Sequence, residues 1–283
     1  MSLPPPPGCN VALAERVLVR FLQEECGRAG FSRGVLGLSG GIDSALVVEL
    51  AARALEPGNV HAVCMPYHAS DPQSLRLAKE SAGHAGVALE VVDISAAADA
   101  MFAHAGDLED LEDPGVRLRR GNLLARLRMV TLYDRSARLH ALVLGTSNKT
   151  ELLLGYGTQH GDMASAINPI GDLYKAQVVA LSRHLGVPQD IVVRPPTADL
   201  WAGQTDEQEL GFRYDEIDAL LHAMVDRRHG REALLRMGFP AAMVDAVDTR
   251  VRRNQYKRRP PLIAKLANRT INLDYRYARD SWT

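Results

Sequence analysis

Five residues that follow an apolar stretch, Gly37-Leu38-Ser39-Gly40-Gly41, match two patterns that imply different chemistry. As G-x-S-x-G they are typical of a hydrolase's nucleophile elbow, in which a serine on a strand-to-helix turn attacks a carbonyl. As the beginning of S-G-G-x-D-S, which Ser44 completes, they are typical of a loop that binds pyrophosphate through backbone N–H groups. The residues around the stretch decide between these interpretations.

The hydrolase interpretation requires partners for Ser39. An elbow takes part of its oxyanion hole from a loop after an earlier strand, and it needs an acid and a histidine further along the chain. The residues before Val35 fit a single helix, so no earlier strand is available. His160 and Asp162 are candidate partners, but a serine hydrolase remains the weaker alternative.

The pyrophosphate interpretation uses more of the stretch. The three glycines let the backbone approach a ligand, and the helix predicted from Asp43 points its positive N-terminal end at the same place. Ser39 and Ser44 add hydroxyl donors. The lysine of the G-x-x-x-x-G-K-[ST] loop is missing, so this is a different kind of phosphate loop. Because a carboxylate repels a phosphate unless a divalent cation lies between them, Asp43 is a candidate magnesium ligand.

A second group of polar residues follows the apolar stretch 141–144. Residues 145–175 contain Thr146, Lys149, Glu151, Asp162 and Lys175. Each alone is an ordinary surface residue, but their density after a predicted strand favours a site. Ligands of open parallel sheets bind at the carboxyl ends of the strands, so we expect this group to face the glycine-rich loop.

The elements that position these residues alternate between strands and helices. Strands are predicted at 35–38, 60–65, 89–94 and 141–144, and helices at 11–28, 43–55, 71–85, 121–138 and 176–185. Apolar strands separated by helices imply an α/β fold with a doubly wound parallel sheet. Residues 200–260 are predicted to form a helical C-terminal extension of the same domain, which spans 10–283. The Pro-rich residues 1–9 are predicted to be a disordered lead.

Composition limits the classes of function. Lys and Arg number 33 and Asp and Glu 34, a formal net charge of −1, so we expect no nucleic-acid partner. The cysteines Cys9, Cys26 and Cys64 are odd in number and lack disulfide or zinc spacing, which predicts a cytoplasmic protein. No apolar stretch approaches the roughly 18 residues of a membrane span, so no membrane partner is expected.

Four motifs occur together: S-G-G-I-D-S at 39–44, G-T-S-N-K-T-E-L-L-L-G-Y at 145–156, G-D-L-Y-K at 171–175 and P-T-A-D-L-W at 196–201. With them, the chain resembles the ammonia-dependent NAD synthetases, a family of N-type ATP pyrophosphatases, from residue 11 to 262. The resemblance implies an adenine nucleotide alpha hydrolase-like fold and a homodimer. It also implies that ATP, with Mg²⁺, adenylates the nicotinate carboxylate of deamido-NAD and releases pyrophosphate. Ammonia then displaces AMP to form NAD.

The resemblance also implies roles for individual residues. The pyrophosphate loop corresponds to Gly37, Leu38, Ser39, Gly40, Gly41, Ile42, Asp43 and Ser44, and further ATP contacts correspond to Thr146, Lys175 and Thr197. Asp43 and Glu151 correspond to magnesium ligands, Arg126 to a residue that contacts deamido-NAD, and Lys257 to a lysine that closes over the substrate. Asp162 corresponds to an aspartate beside the reacting groups, so Asp162 and Lys175 are the candidate catalytic residues.

Three positions on the dinucleotide side depart from the family's pattern. Gln159 replaces a lysine, Ala166 an aspartate, and Tyr256 the histidine of a His-Lys pair. Each charge-assisted hydrogen bond lost costs about 1.5–3 kcal/mol, or roughly ten- to a hundredfold in affinity. Either His160, Arg128 and Arg258 compensate, or the carboxylate substrate differs.

Ammonia is the expected nitrogen source, free or supplied by a separate glutaminase, because the chain leaves no room for the glutaminase domain that some family members carry. Deamido-NAD is the favoured acid, and a different carboxylic acid amidated by the same adenylation is the first alternative. A nucleotide-binding regulator without catalysis is another. Asp43, Glu151 and Lys175 argue against a regulator, since pure binding needs no metal pair.

Overall fold

The computed structural model describes residues 3–106, 110–197 and 206–271. Its sheet contains β1 (Gly34–Gly37), β2 (Val60–Cys64), β3 (Ala88–Val91) and β4 (Leu142–Val143). All strand pairs are parallel and the order is β3-β2-β1-β4. The predicted parallel sheet is therefore confirmed, and the strands that precede the two candidate loops, β1 and β4, are neighbours.

Helices connect and follow these strands. They are α1 (Val11–Arg28), α2 (Ile42–Leu55), α3 (Pro72–Ala85), α4 (Ser95–Ala105), α5 (Pro114–Leu139), α6 (Lys149–Leu154), α7 (Lys175–Leu185), α8 (Gln189–Val193), α9 (Asp206–Leu210), α10 (Tyr214–Leu221), α11 (Arg231–Arg236) and α12 (Ala241–Arg253). The sequence did not predict α4 and α6, and α5 begins before the predicted residue 121. Asp113 caps α5 by accepting from Gly115 N (2.7 Å), and Pro114 at the first helical position fixes this earlier start.

Both faces of the sheet are covered by helices, as a doubly wound fold requires. Alternate strand residues point to opposite faces. Leu36 belongs to the core that includes α1, α2, α3 and α7, whereas Val35 belongs to the core that includes α4 and α5. Residues 44–52 of α2 are all buried, so the helix that begins at the candidate loop is held on every side.

The described part of the C-terminal extension is helical, as predicted. α10, α11 and α12 share a third core, with Leu220 at its centre, and this core also contains Leu154 of α6. Leu3 packs against the same core, and Gln177 Nε2 donates to Gly8 O (3.1 Å). The interpretation of residues 1–9 as a lead stays a prediction. In the ranges that the structure describes, no helix combines the length and apolarity needed to cross a bilayer.

Candidate active site

The candidate phosphate loop connects β1 to α2. β1 ends at Gly37 and α2 begins at Ile42, so the loop lies at the carboxyl edge of the sheet. Gly40 has a φ of +78°, and a Cβ atom built there would lie 2.4 Å from the backbone oxygen of Ser74 in α3. Both the backbone angle and this contact require glycine.

Two serines hold the loop and leave the end of α2 open. Ser44 Oγ donates to Gly41 O (3.0 Å) and accepts from Ser39 N (3.2 Å), while Gly41 N donates to Ser39 Oγ (3.2 Å). No side chain caps α2, so its first N–H groups are suited to bind an anion. Within the described residues the Ser39 hydroxyl bonds inside this loop and to no histidine, which gives the hydrolase alternative no support.

α6, which follows β4, places Glu151 opposite Asp43. Asn148 caps α6 through a reciprocal capping box: its Oδ1 accepts from Glu151 N (3.0 Å), and its N–H donates to Glu151 Oε2 (3.2 Å). Its Nδ2 also donates to Asp43 Oδ1 (2.8 Å), which ties the two loops together. Sequence reasoning missed Asn148. The N-x-x-E spacing signals a helix start, but nothing in it points to Asp43.

Lys175, the first residue of α7, lies between the two carboxylates. Its Nζ is 2.5 Å from Asp43 Oδ2 and 3.3 Å from Glu151 Oε1, and its side chain is 6% exposed. Burial lowers the pKa of this ammonium, but the charges of Asp43 and Glu151 outweigh burial and hold the pKa above its ordinary value. Burial and the charge of Asp43 raise the pKa of Glu151, and Lys175 opposes that rise. These three predicted residues therefore lie together.

Asp218 of α10 supports this cluster from the C-terminal extension. It is fully buried and accepts from Thr150 Oγ1 (2.5 Å) and from Ala176 N (2.7 Å). It therefore joins the beginnings of α6 and α7, which carry Glu151 and Lys175. Burial raises the pKa of Asp218 to about 6, and its two hydrogen bonds limit the rise. Sequence reasoning missed this residue, because no local pattern separates it from the surface acids of the extension.

Asp206 at the start of α9 is a further buried acid near Lys175. It accepts from Tyr156 OH (3.0 Å) and from Tyr214 OH (3.2 Å), and Lys175 Nζ lies 5.2 Å from the ring centre of Tyr214. Burial raises the pKa of Asp206, and the charge of Lys175 opposes the rise. The ammonium of Lys175 therefore has four acids in its electrostatic surroundings: Asp43, Glu151, Asp206 and Asp218.

A second group of predicted residues lies where the chain after α6 passes over α5. Asp162 Oδ1 accepts from Thr158 N (2.8 Å), and Arg126 Nε on α5 donates to Gln159 O (3.3 Å). Asp162 is an exposed residue, and its carboxylate is held by the backbone of Thr158. Desolvation there raises the pKa of Asp162, and hydrogen bonds from Thr158 limit the rise.

Lys257 joins this second group from the C-terminal extension. Its Nζ donates to Gly155 O (2.8 Å) and to Gly157 O (2.9 Å). Burial lowers the pKa of Lys257, the charge of Asp162 opposes that effect, and the charge of Arg126 adds to it. Lys257 is thus within electrostatic reach of the two other predicted residues, Asp162 and Arg126.

Side chains on either side of Lys257 bind the backbone carbonyls at the end of α6. Asn254 Nδ2 donates to Leu154 O (2.8 Å), and Arg258 Nη1 donates to Leu153 O (2.7 Å). The guanidinium of Arg258 is therefore engaged at the end of α6. Arg128 Nε likewise donates to a backbone oxygen, that of Met65 (3.1 Å). Of the three residues proposed from the sequence to compensate for the family's missing groups, His160 is the exposed one, at a φ of +61°.

The positions that depart from the family's pattern do not all come together. Gln159 belongs to the second group, whereas Ala166 lies beside β4, where its N–H donates to Val143 O (2.9 Å). Ala166 lines a cavity of about 300 Å³ together with residues at the end of α1. Tyr256 is 57% exposed.

Two predicted ATP contacts flank the phosphate loop. Thr146 follows β4, the neighbour of β1. Thr197 follows Arg194, whose Nη2 donates to Ser74 Oγ (3.0 Å), and the backbone oxygen of Ser74 lies against Gly40. Both threonines therefore belong to segments beside the loop.

The residues at the first cluster fit a magnesium ion. Asp43 and Glu151 offer carboxylate oxygens, each side chain is 17% exposed, and one oxygen of each faces the Lys175 ammonium. Magnesium is usually held by one or two carboxylates together with phosphates and water. Across the ranges that the structure describes, no group of three or more His, Cys, Asp or Glu residues could hold a metal by itself. The pair therefore suits a metal that arrives with a nucleotide.

Known proteins are similar to this chain in sequence and in fold. Residues 14–261 match the NAD synthase family. A curated relative from Trichlorobacter lovleyi, named NH(3)-dependent NAD(+) synthetase, is 54% identical over 96% of this chain and 97% of its own length. The structure of NH3-dependent NAD synthetase from Campylobacter jejuni is similar with a TM-score of 0.76 and 34% identity, over 91% of this chain and 100% of that one. The structure of NMN synthetase from Francisella tularensis is similar with a TM-score of 0.79 and 30% identity, over 90% and 99%.

Proposed function

The chain belongs to the NAD synthase family, and from this premise we propose that it catalyses the ATP-dependent amidation of deamido-NAD by ammonia. The products are NAD, AMP and pyrophosphate. The observation that supports the proposal best is the placement of two groups at the two ends of α6. At its beginning lie Asp43, Glu151 and Lys175 beside an open helix end, and at its far end lie Asp162 and Lys257.

In the first step, a carboxylate oxygen of the substrate attacks the α-phosphorus of ATP, and the bond from that phosphorus to pyrophosphate breaks. The uncapped N–H groups in the first turn of α2 are suited to bind the leaving pyrophosphate. Asp43 and Glu151 would hold Mg²⁺, which offsets phosphate charge when it is bound. Lys175 is close enough to turn its ammonium toward the phosphates once they arrive.

In the second step, the nitrogen of ammonia attacks the carbonyl carbon of the acyl-adenylate, and the bond to AMP breaks. The attacking nitrogen must lose a proton. Asp162 is a suitable acceptor because desolvation raises its pKa, and a carboxylate with a raised pKa is a better general base near neutral pH. Arg126 and Lys257 would hold the negative groups of the dinucleotide.

We extend the proposal to a cytoplasmic homodimer. The long helix α5 exposes Leu118 (57%), Val130 (58%) and Tyr133 (41%), and Met101 of α4 is also exposed (47%). Apolar side chains gathered on neighbouring helices are suited to a second copy of the chain. The cysteines are free, which agrees with a reducing compartment.

The test is a product balance. Protein incubated with deamido-NAD, ATP, magnesium and ammonium is expected to form NAD, AMP and pyrophosphate in equal amounts, while Asp43→Asn is expected to form far less. Nicotinate mononucleotide is the competing acid to include, because one similar structure is that of an NMN synthetase. ADP and phosphate as products would refute the adenylation chemistry. AMP release with nicotinate mononucleotide alone would refute the assignment of deamido-NAD.

A further inference from the structure

Asn148 is fully buried, and three of its polar groups form hydrogen bonds with the two candidate magnesium ligands. Its Nδ2 donates to Asp43 Oδ1 (2.8 Å), its N–H donates to Glu151 Oε2 (3.2 Å), and its Oδ1 accepts from Glu151 N (3.0 Å). Each carboxylate therefore has one oxygen held by Asn148. The other two oxygens, Asp43 Oδ2 and Glu151 Oε1, face the same Lys175 ammonium.

We propose that Asn148 is a positioning residue for magnesium, which fixes one oxygen of Asp43 and one of Glu151 so that the remaining two face the same point, beside the Lys175 ammonium. This inference rests on the proposed metal pair. Partners that orient a metal's ligands typically change metal affinity by about 10- to 100-fold when they are lost.

The helix cap alone does not explain an asparagine at this position. Serine, threonine and aspartate cap helices about as well, because capping needs only a side-chain oxygen near the first turn. The bond to Asp43 needs a donor that reaches across to the other loop, and the amide of asparagine supplies the donor and the capping oxygen together. Aspartate would place a third carboxylate against Asp43, and serine is too short to reach it.

This difference in chemistry separates the two roles experimentally. Asn148→Ser keeps a capping oxygen and removes the bond to Asp43, and Asn148→Thr is a second such variant that fills more of the space. Asn10→Ser is the matched control. Asn10 caps α1 by accepting from Leu13 N (3.1 Å), so the same substitution is made at a helix cap away from the acids.

The experiment measures Mn²⁺ binding, by electron paramagnetic resonance, in the presence of α,β-methylene-ATP, which is not cleaved at the reacting bond. The Kd for Mn²⁺ is expected to rise about tenfold or more in both Asn148 variants and to stay unchanged in Asn10→Ser. Circular dichroism and thermal unfolding check that each variant folds. In steady-state assays, the magnesium concentration for half-maximal rate is expected to rise in the Asn148 variants more than kcat falls.

Three results would overturn the inference: folded Asn148 variants that bind Mn²⁺ as tightly as the wild type, an equal loss in Asn10→Ser, or a wild type that binds no Mn²⁺ with the nucleotide. The product balance above tests the reaction separately. If the wild type forms NAD and the Asn148 variants bind Mn²⁺ with unchanged affinity, the role of Asn148 is refuted and the proposed reaction stands. Weakened Mn²⁺ binding in a protein that forms no NAD would support the inference and sink the proposed reaction.

Discussion

Replacing Lys175 by methionine tests the charge balance of the candidate site. Methionine is apolar and of similar length, so the change removes the ammonium and keeps most of the packing. Lys175 Nζ lies 2.5 Å from Asp43 Oδ2 and 3.3 Å from Glu151 Oε1, and its side chain is 6% exposed against 17% for each acid. The variant therefore leaves two largely buried carboxylates that repel each other.

The expected cost follows from this burial. Removing one partner of a buried ion pair destabilises a protein by about 3–5 kcal/mol, because the remaining charge stays buried and unpaired. The amide of Asn148 still holds Asp43, so we expect the lower end of this range, about 3 kcal/mol. At about 2–4 °C per kcal/mol, Tm should fall by about 6–12 °C at pH 7.5 without magnesium.

Two conditions should reduce this loss of stability. Burial and the charge of Asp43 raise the pKa of Glu151, and without Lys175 that rise is unopposed, so the cost is expected at high pH and should disappear as the pH falls and Glu151 binds a proton. Magnesium should also raise the Tm of Lys175→Met more than that of the wild type, since the ion can occupy the gap that the ammonium leaves.

Thermal unfolding with and without magnesium measures both effects, and Lys149→Met is the matched control. Lys149 Nζ also bonds two carboxylates, Asp172 and Asp226, each at 2.9 Å, but Asp172 is 95% exposed. Its loss should cost about 1 kcal/mol at most and give no magnesium response. The reasoning is refuted if the two variants lose the same stability, or if magnesium raises the Tm of both equally.

Three further predictions follow from the structure. Gly40→Ala should lower Tm and weaken ATP binding, because its φ is +78° and the new Cβ would lie 2.4 Å from Ser74 O. Gly58→Ala, which has open space around it, should change neither quantity. Thermal unfolding and ATP titration measure both effects. Glu90→Gln should cost about 1–2 kcal/mol at pH 7, since hydrogen bonds from Arg135 and His61 lower the pKa of Glu90 to about 2. Because that pKa is depressed, the deficit should shrink between about pH 4 and 2 in acid unfolding, and a constant deficit would contradict it. Asp162→Asn should lower kcat for NAD formation by about 10²-fold or more, while the exchange of labelled pyrophosphate into ATP persists. Loss of both NAD formation and pyrophosphate exchange would instead place Asp162 in the first step.

Much of the fold was predictable because its signals are local. Asn10 marks the start of α1, and the strands are short apolar stretches bounded by glycine or polar residues. α4 was missed because its alanine-rich sequence carries little helical periodicity, and α6 because six residues are too few for a periodic pattern. Local patterns therefore failed where helical periodicity was weak, as in α4, or where a helix was too short to show it, as in α6.

The candidate site was predictable only in part. Asp43 and Glu151 each follow a strand, and the rule that parallel strands present their carboxyl ends at one edge brings them together. The roles of Asn148 and Asp218 depend on bonds between elements far apart in the chain, and no local pattern contains that information. Tertiary contacts, rather than residue type, separate these side chains from ordinary caps and surface acids.

Glu151 lies on a helix of only six residues, and such a helix is unstable by itself. Its first turn is tied to Asp43, but the carbonyls of its last turn are bound by Asn254 and Arg258, about a hundred residues later in the chain. During synthesis on the ribosome, we expect the sheet to form once β4 has emerged, while the carboxylate pair settles only after residue 258 has followed. We expect a nascent chain to hold its sheet before its carboxylate pair is fixed, so the capacity to consume the nucleotide is acquired last.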